Sequence, residues 1–336
     1  MKVAFFKLEP LEKKYIKKHK IAADHELLFF DHALSKNNMP EDVSFEAASV
    51  FVDSVVDGVV IGKLPNLKII ATRSTGYDHI ALEAAKKNGV TVTNVPAYGE
   101  DTVAEFTFAL LLALSKKIFE SYHRIKEYGG FNLDGLRGSD LKGKTIGVIG
   151  TGKIGTNVIK IARGFGMKII ANDAFPDKDL ANKMKFEYAP FEKVLRESDI
   201  ITLHVPYTEE THHLINKNNI NLIKRGAYLI NTARGGIVET EALINALKSG
   251  RIAGAGLDVL EEEGAIKDEL NFLTQGYIEE HNLKTILASH VLIDMPNVII
   301  TPHNAFNTYE ALQRILDTVL ENISSFSKGK PINIVR

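Results

Sequence analysis

Gly150-Thr151-Gly152-Lys153-Ile154-Gly155 places three glycines at the spacing a bound pyrophosphate requires. The run follows an apolar stretch, Thr145–Ile149, and opens a segment of helical periodicity over about 153–165. In such a loop the first glycine permits a tight turn, the second lets phosphate oxygens reach the backbone, and the third lets helix and strand pack closely. Amides at the start of the helix then face the anion. Asp173 ends the next apolar stretch, Lys168–Asn172, where a carboxylate accepts hydrogen bonds from an adenine ribose. The same charge repels a 2′-phosphate, and Ala174-Phe175-Pro176 supplies no arginine to hold one, although Lys178 is near. These residues predict a dinucleotide cofactor, NAD.

A second set could move protons and hold anions. Arg234, in Asn231-Thr232-Ala233-Arg234-Gly235-Gly236, follows the strand candidate Tyr228–Asn231, at the edge where open α/β sheets bind ligands. Its planar fork matches a carboxylate or a developing oxyanion. His303 lies in Thr301-Pro302-His303-Asn304, and Glu263 closes the run Glu261-Glu262-Glu263 after the strand candidate Ala255–Val259. An imidazole bonded to a carboxylate has its tautomer fixed and is prepared to protonate a ketone oxygen.

The elements that must position these residues alternate between apolar runs and amphipathic segments. Val3–Lys7, Glu26–Phe30, Ser49–Val52, Lys68–Thr72 and Thr91–Asn94 read as buried strands, with helices over Glu12–Ile21 and His79–Asn88 between them. One long helix is expected over 101–127, starting at Asp101-Thr102, with Phe106, Leu110 and Leu114 on its apolar face and Gly129-Gly130 as its stop, bridging two domains. A second series follows, with strands Thr145–Ile149, Lys168–Asn172, Ile200–His204, Tyr228–Asn231 and Ala255–Val259 and helices at about 153–165, 219–224 and 239–248. A charged helical excursion is expected over 261–297, then a strand Asn297–Thr301 and a final helix at about 307–327 through Ala311, Ile315, Val319 and Ile323. This alternation predicts parallel sheets with crossover helices.

Composition closes several routes. The 336 residues exceed one typical core, so two domains are expected. There is no cysteine, which excludes disulfides, thiolate nucleophiles and Cys-based metal sites. His212 and His213 are adjacent, no HExxH occurs, and no metal is expected. With 41 basic against 42 acidic residues there is no net field for nucleic acid or membrane. Lys13-Lys14 and Lys17-Lys18-His19-Lys20 read as a solvated helix face. The longest apolar stretch, Phe106–Leu114, is too short to span a bilayer, and a cytoplasmic protein is expected.

The four runs GTGKIG, NTARGG, GLDVLEEE and TPHNAF, in this order, resemble the D-isomer-specific 2-hydroxyacid dehydrogenase family, closest to its D-lactate dehydrogenase branch. The resemblance implies two Rossmann-like doubly wound α/β domains with the active site in the cleft between them. The substrate domain would comprise 1–99 and 302–336, and the NAD domain 100–301. It further implies that Arg234 binds and polarises substrate, His303 is the acid/base and Glu263 its partner, the last chosen by its family spacing after Asp258. Asp258 would hold the nicotinamide carboxamide. Gly150, Thr151, Gly152, Lys153, Ile154, Gly155 and Asp173 would bind the cofactor together with His204, Val205, Pro206, Thr232 and Ala233. Ser74, Thr75 and Gly76 resemble the loop whose amides take the substrate carboxylate, and Tyr98 resembles a substrate-facing tyrosine. A small 2-keto or 2-hydroxy acid is implied as substrate, pyruvate and D-lactate first, with hydroxypyruvate or glyoxylate reduction and 3-phosphoglycerate oxidation as alternatives. Formate or phosphite oxidation is a further branch, and Glu263 argues against the formate one. From another class, the family contains NAD-sensing corepressor-like proteins. A homodimer through the NAD domain is expected, motivated by Phe106–Leu114. The chain departs from the branch at Gly99-Glu100-Asp101 and in a longer segment after Glu263.

Overall fold

Strand runs that are apolar on both faces cannot lie at a surface and need helices above and below the sheet. The computed structural model, which describes residues 1–263 and 283–335, has two such sheets. The chain divides into two compact units, Met1–Tyr98 with Thr308–Arg336, and Gly99–Asn307.

In the first unit β1 (Lys2–Phe6), β2 (Glu26–Phe30), β3 (Ala47–Val50), β4 (Ile69–Thr72) and β5 (Thr91–Thr93) form a parallel sheet in the order β2-β1-β3-β4-β5. Every residue of β3 and β4 is buried. Phe6 stacks on Phe30 at 4.9 Å and meets Phe45 edge-on at 5.8 Å. The helix Tyr309–Ser327 packs on β4 and buries Ala311, Ile315, Val319 and Ile323, at the four-residue spacing expected from sequence. Thr308 caps it by accepting from the Ala311 amide at 3.2 Å.

In the second unit β6 (Thr145–Ile149), β7 (Lys168–Asn172), β8 (Glu187–Tyr188), β9 (Ile200–Leu203), β10 (Ala227–Asn231), β11 (Ile252–Leu257) and β12 (Val298–Ile300) run parallel in the order β12-β11-β10-β9-β6-β7-β8. Successive strands run outward from β6 on one side to β8, then from β9 on the other side to β12. The order therefore reverses between β6 and β9, the place where such sheets leave a crevice at their carboxyl ends.

Several expected elements differ. The helix expected over 101–127 is two, Glu100–Ser115 and Ile118–Tyr128, separated by Lys117 in the left-handed region at φ 54°. The break is set from outside the helix, since Ser139 donates its amide to the Ser115 carbonyl at 2.8 Å. A Cβ on Gly138 would lie 2.4 Å from the same oxygen. The helix expected at 219–224 is a single 3-10 turn, Ile220–Leu222. There the side chains of Asn216 and Asn219 bond to the backbone of Asn218, Asn216, His213 and Leu214, in competition with a regular helix.

Strand β11 starts at Ile252 rather than Ala255, through glycines that read as loop. A Cβ on Gly256 would lie 3.0 Å from Leu110, so the glycine lets the helix Glu100–Ser115 approach the sheet. The short helices Lys178–Met184 and Phe191–Glu197 and the strand between them were not foreseen. Of the excursion expected over 261–297, residues 264–282 lie outside the described residues, and Leu283–Ile293 is helical. The chain re-enters the first unit at Thr308 and not at 302, because the amides of residues 303–305 are bonded to Asp258.

Candidate active site

Six parallel strands deliver the candidate residues to one edge of the second unit's sheet. Gly150 follows β6, Asp173 follows β7, His204 follows β9, Arg234 lies beyond β10, Asp258 follows β11 and His303 lies beyond β12. The order of strands puts the glycine loop on one side of the β6/β9 reversal and Arg234, Asp258 and His303 on the other.

The glycine loop has the shape its residues require. Gly150 sits at φ +92°, and a Cβ there would meet the His204 carbonyl at 2.5 Å. A Cβ on Gly155 would lie 2.0 Å from the Gly150 carbonyl, whereas one on Gly152 would meet nothing within 4 Å. Gly152 thus opens to a space at the start of the helix Lys153–Gly164, the cradle a pyrophosphate needs. Lys153 begins that helix and pairs with Glu100 at 3.4 Å, while Ile154 packs into the core beneath it.

Asp173 accepts from the Thr151 amide at 2.6 Å, from the Thr151 hydroxyl at 2.9 Å and from the Phe175 amide at 2.9 Å. Burial pushes its pKa up, but those donors outweigh burial and leave it below the ordinary carboxylate value. Tyr188, at the end of β8, bonds to the Thr151 hydroxyl at 2.8 Å. Sequence reasoning passed it over because β8 is two residues long.

His204 donates its amide to the Ile149 carbonyl at 2.7 Å and shares a 2.8 Å bond between Nε2 and the Thr202 hydroxyl. Its half-buried ring is held neutral, with burial pushing the pKa down to about 3. Val205 packs into the core beside Gly150, and the Pro206 carbonyl accepts from the Thr211 hydroxyl at 2.6 Å. Thr232 is buried and bonded to the Thr107 hydroxyl at 3.1 Å.

On the other side of the reversal, His303 Nδ1 lies 2.8 Å from Glu263 Oε1. The histidine is in the left-handed region at φ 54°, and its amide donates to the carbonyls of Asp258 and Thr301. Asp258 builds this turn. Its carboxylate, 1% exposed, accepts from the Thr301 hydroxyl at 2.5 Å, the Asn304 amide at 2.7 Å and the Ala305 amide at 2.8 Å. Burial raises its pKa in spite of those donors. Asp258, expected from sequence at the nicotinamide carboxamide, accepts two of these bonds on Oδ1 and one on Oδ2 within the turn that carries His303.

Arg234 is half-buried and extended, at φ −145° and ψ 142°. Its Nη1 donates to the Ala233 carbonyl at 2.7 Å, and Asn231 bonds to the Arg234 carbonyl and the Ala233 amide. Gly235 lies against the chain beyond β11, where a Cβ would come within 2.0 Å of Leu260. The other two glutamates of the acidic run have different surroundings. Glu261 pairs with His213 at 2.6 Å and accepts from the amide of Thr240 at 2.8 Å and from its hydroxyl. Glu262 stands at φ 55°. The His213–Glu261 pair has no sequence spacing that would have announced it.

The first unit carries Ser74, Thr75, Gly76 and Tyr98. The Ser74 hydroxyl donates to the Gly76 carbonyl at 2.6 Å, and the Thr75 hydroxyl donates to Val95 at 2.7 Å. The Tyr98 carbonyl accepts from Arg314 Nε at 2.7 Å. Among the described residues no group of three or more His, Asp or Glu could hold a metal, and no helix is long and apolar enough to cross a membrane.

Comparison with known proteins adds to this geometry. Residues 108–305 match the model of a family described as D-isomer specific 2-hydroxyacid dehydrogenase, NAD binding domain. The chain is 36% identical to the D-lactate dehydrogenase of Escherichia coli over 98% of each chain. It is 40% identical to the glyoxylate reductase of Thermococcus litoralis over 86% of this chain and 83% of that one. Its fold is similar to the crystal structure of D-lactate dehydrogenase from Aquifex aeolicus complexed with NAD and lactic acid, with a TM-score of 0.87 and 38% identity over 99% and 98% of the two chains.

Proposed function

The chain belongs to the D-isomer specific 2-hydroxyacid dehydrogenase family and its cofactor is NAD, and we propose on that premise that it interconverts pyruvate and D-lactate. The observation that carries the reading is the 2.8 Å contact between His303 and Glu263, at the same sheet edge as Arg234 and the glycine loop. When bound, NADH supplies the hydride that reduces C2 of the keto acid. His303 gives its Nε2 proton to the carbonyl oxygen while Glu263, on Nδ1, fixes the tautomer and stabilises the imidazolium state. Arg234 stabilises the negative charge that develops on that oxygen. The amides of the Ser74–Gly76 loop take the carboxylate, and Tyr98 faces the substrate side chain. Oxidation of the hydroxy acid runs the same steps in reverse, with neutral His303 as base.

Pyruvate is favoured by the relatives named D-lactate dehydrogenase and by the neighbour complexed with lactic acid. The glyoxylate reductase at 40% identity supports a second reading, reduction of glyoxylate or hydroxypyruvate. Retention of Arg234, Glu263 and His303 together favours an enzyme over an NAD-sensing binding protein. A panel of 2-keto acids assayed by loss of NADH absorbance, with the handedness of the product determined, tests the reading. Best efficiency with glyoxylate or hydroxypyruvate would select the second one.

The expected homodimer rests on a different helix from the one that suggested it. Leu110, Leu111 and Leu114 are buried in their own unit, whereas Ile118–Tyr128 has no buried residue and leaves Ile118, Tyr122 and Ile125 more than half exposed. That face of the cofactor-binding unit is the proposed contact with a second copy, and light scattering on the pure protein checks it.

A further inference from the structure

Arg73 is among the largest buried side chains of the protein, 2% exposed, and the mechanism does not use it. It follows the last residue of β4 and reaches across β3 to β1. Nη2 donates to the carbonyls of Phe6 at 2.9 Å and Lys7 at 3.1 Å, and Nη1 donates to the carbonyl and hydroxyl of Ser49, each at 3.3 Å. The guanidinium also lies 5.7 Å from the centre of the Phe51 ring. It therefore fills the carboxyl ends of β1 and β3, the point where this sheet's order reverses.

All of these partners are neutral. Among the described residues no carboxylate forms an ion pair with Arg73, and the two acids that bear on it, Glu12 and Asp53, do so only at longer range. Asp53 pairs with Lys7 at 2.8 Å, and Glu12 accepts from the Glu9 amide at 2.7 Å. Burial lowers its pKa from the ordinary arginine value, yet a guanidinium does not deprotonate in proteins. A buried charge without an ion-pair partner in contact is costly, and capping a few strand-end carbonyls does not require a full positive charge.

The next three residues give that charge a use. The Ser74 carbonyl accepts from the Val95 amide at 3.0 Å, the Thr75 carbonyl from Asn94 at 2.8 Å and the Gly76 carbonyl from the Ser74 hydroxyl at 2.6 Å. With its carbonyls so engaged, the loop has no hydrogen-bond acceptor for the amides of Ser74, Thr75 and Gly76 among the described residues. Three unbonded amides follow in sequence on the residue that carries this cation, whose hydrogen-bond partners are all neutral, and donors joined to a positive charge in this way favour an anion.

We infer that Arg73 is a positioning residue whose buried charge draws the substrate carboxylate to the Ser74–Gly76 loop without touching it. This rests on the reading of that loop given under the proposed function, and it commits the first unit to anionic substrates.

The test is calorimetric binding of oxamate, a neutral-amide isostere of pyruvate that keeps the carboxylate, to the NADH-loaded protein. Arg73→Gln should weaken oxamate by about tenfold, the size expected for one charge acting across several ångströms of partly screened protein. The KM for the keto acid should rise in parallel, with kcat and NADH affinity within about twofold, because the lost interaction is felt equally in ground and transition states. Arg73→Lys keeps the charge and loses the fork, so it should bind oxamate within about threefold of the parent while its Tm falls as in Arg73→Gln.

Unchanged oxamate affinity in a folded Arg73→Gln overturns the inference. So does an Arg73→Lys that loses as much as Arg73→Gln, since the guanidinium would then serve geometry alone. If Arg73→Gln does not fold, Arg73→Lys decides against the parent: oxamate affinity within about threefold supports the inference and a loss of about tenfold overturns it. A parent protein that binds oxamate in an Arg73-dependent way but turns over no 2-keto acid would refute the proposed function and leave this inference standing. A parent that does not bind oxamate at all overturns it.

Discussion

Glu263 and His303, 40 positions apart, meet at 2.8 Å because β11 and β12 are neighbouring parallel strands whose carboxyl ends lie side by side. The neighbouring Glu261 is committed to His213 and Thr240. The two carboxylates should therefore behave differently on substitution. His303→Ala removes the proton donor and should lower kcat by about 10²–10⁴-fold with NADH binding unchanged. Glu263→Gln keeps an acceptor for Nδ1 but no charge, and should lose about tenfold in kcat, within the range of one charge-assisted hydrogen bond. Glu261→Gln should leave kcat within about threefold, whereas Glu261→Ala leaves the Thr240 and His213 donors unsatisfied and should cost about 1–3 kcal/mol in chemical denaturation. Steady-state kinetics and unfolding curves on the four variants check this. A larger kcat loss in Glu261→Gln than in Glu263→Gln would reverse the assignment.

What the sequence made legible follows from local chemistry. Strands β2, β6 and β7 match their expected limits, because β-branched and aromatic runs bounded by polar residues leave little choice of register. The turn at Gly150 was legible because few residue types tolerate its backbone and its contact with His204. The break at Lys117 was not, since it is imposed by Gly138 and Ser139 more than twenty residues away. The surroundings of Asp258 and Arg73 were equally hidden, because a buried charge is defined by the strands it bridges, and sequence gives no distances.

Asp173 is the proposed determinant of cofactor choice; the Thr151 and Phe175 amides hold its carboxylate below the ordinary carboxylate value, so it is ionised at neutral pH. NADH should be used at least about a hundredfold better than NADPH, since a 2′-phosphate would face that charge. Asp173→Ala should narrow the ratio to within about tenfold. It should also weaken NADH, because the carboxylate holds Thr151 of the glycine loop as well as being the proposed partner of the ribose. Equal kcat/KM for the two cofactors in the parent protein would refute the assignment.

His204 should make the fold acid-sensitive. Its folded pKa is about 3 against an ordinary 6.5, so between those values the unfolded chain takes up a proton that the folded chain refuses. Stability from this residue is complete above pH 6.5 and is lost as pH falls toward 3, by about 1.4 kcal/mol per pH unit at most. His204→Gln, which retains a group for the Thr202 hydroxyl, should flatten the acid limb of Tm against pH between about 6 and 4. An unchanged slope would show that the ring is protonated in the folded protein.

The backbone around Arg234 is closely constrained. The residue is extended, Asn231 bonds to its carbonyl, and Gly235 lies so close to Leu260 that a Cβ would come within 2.0 Å. One Nη1 bond to the Ala233 carbonyl at 2.7 Å aims the guanidinium from within its own loop. Arg234→Lys keeps the charge, but an ammonium cannot donate to Ala233 and present a planar fork at the same time. Its kcat/KM for the keto acid should fall by about a hundredfold, with kcat and KM both affected, because in the proposed function the arginine acts on bound substrate and on the charge developing at the carbonyl oxygen. Arg234→Ala should lose about a further tenfold. Free guanidinium at millimolar concentration should restore part of that activity, and ammonium should not, since only the planar donor replaces what was removed. Near-normal kinetics in Arg234→Lys, or rescue by ammonium as effective as by guanidinium, would show that positive charge alone suffices and that the planar fork is not used, whereas near-normal kinetics in Arg234→Ala would remove Arg234 from the reaction.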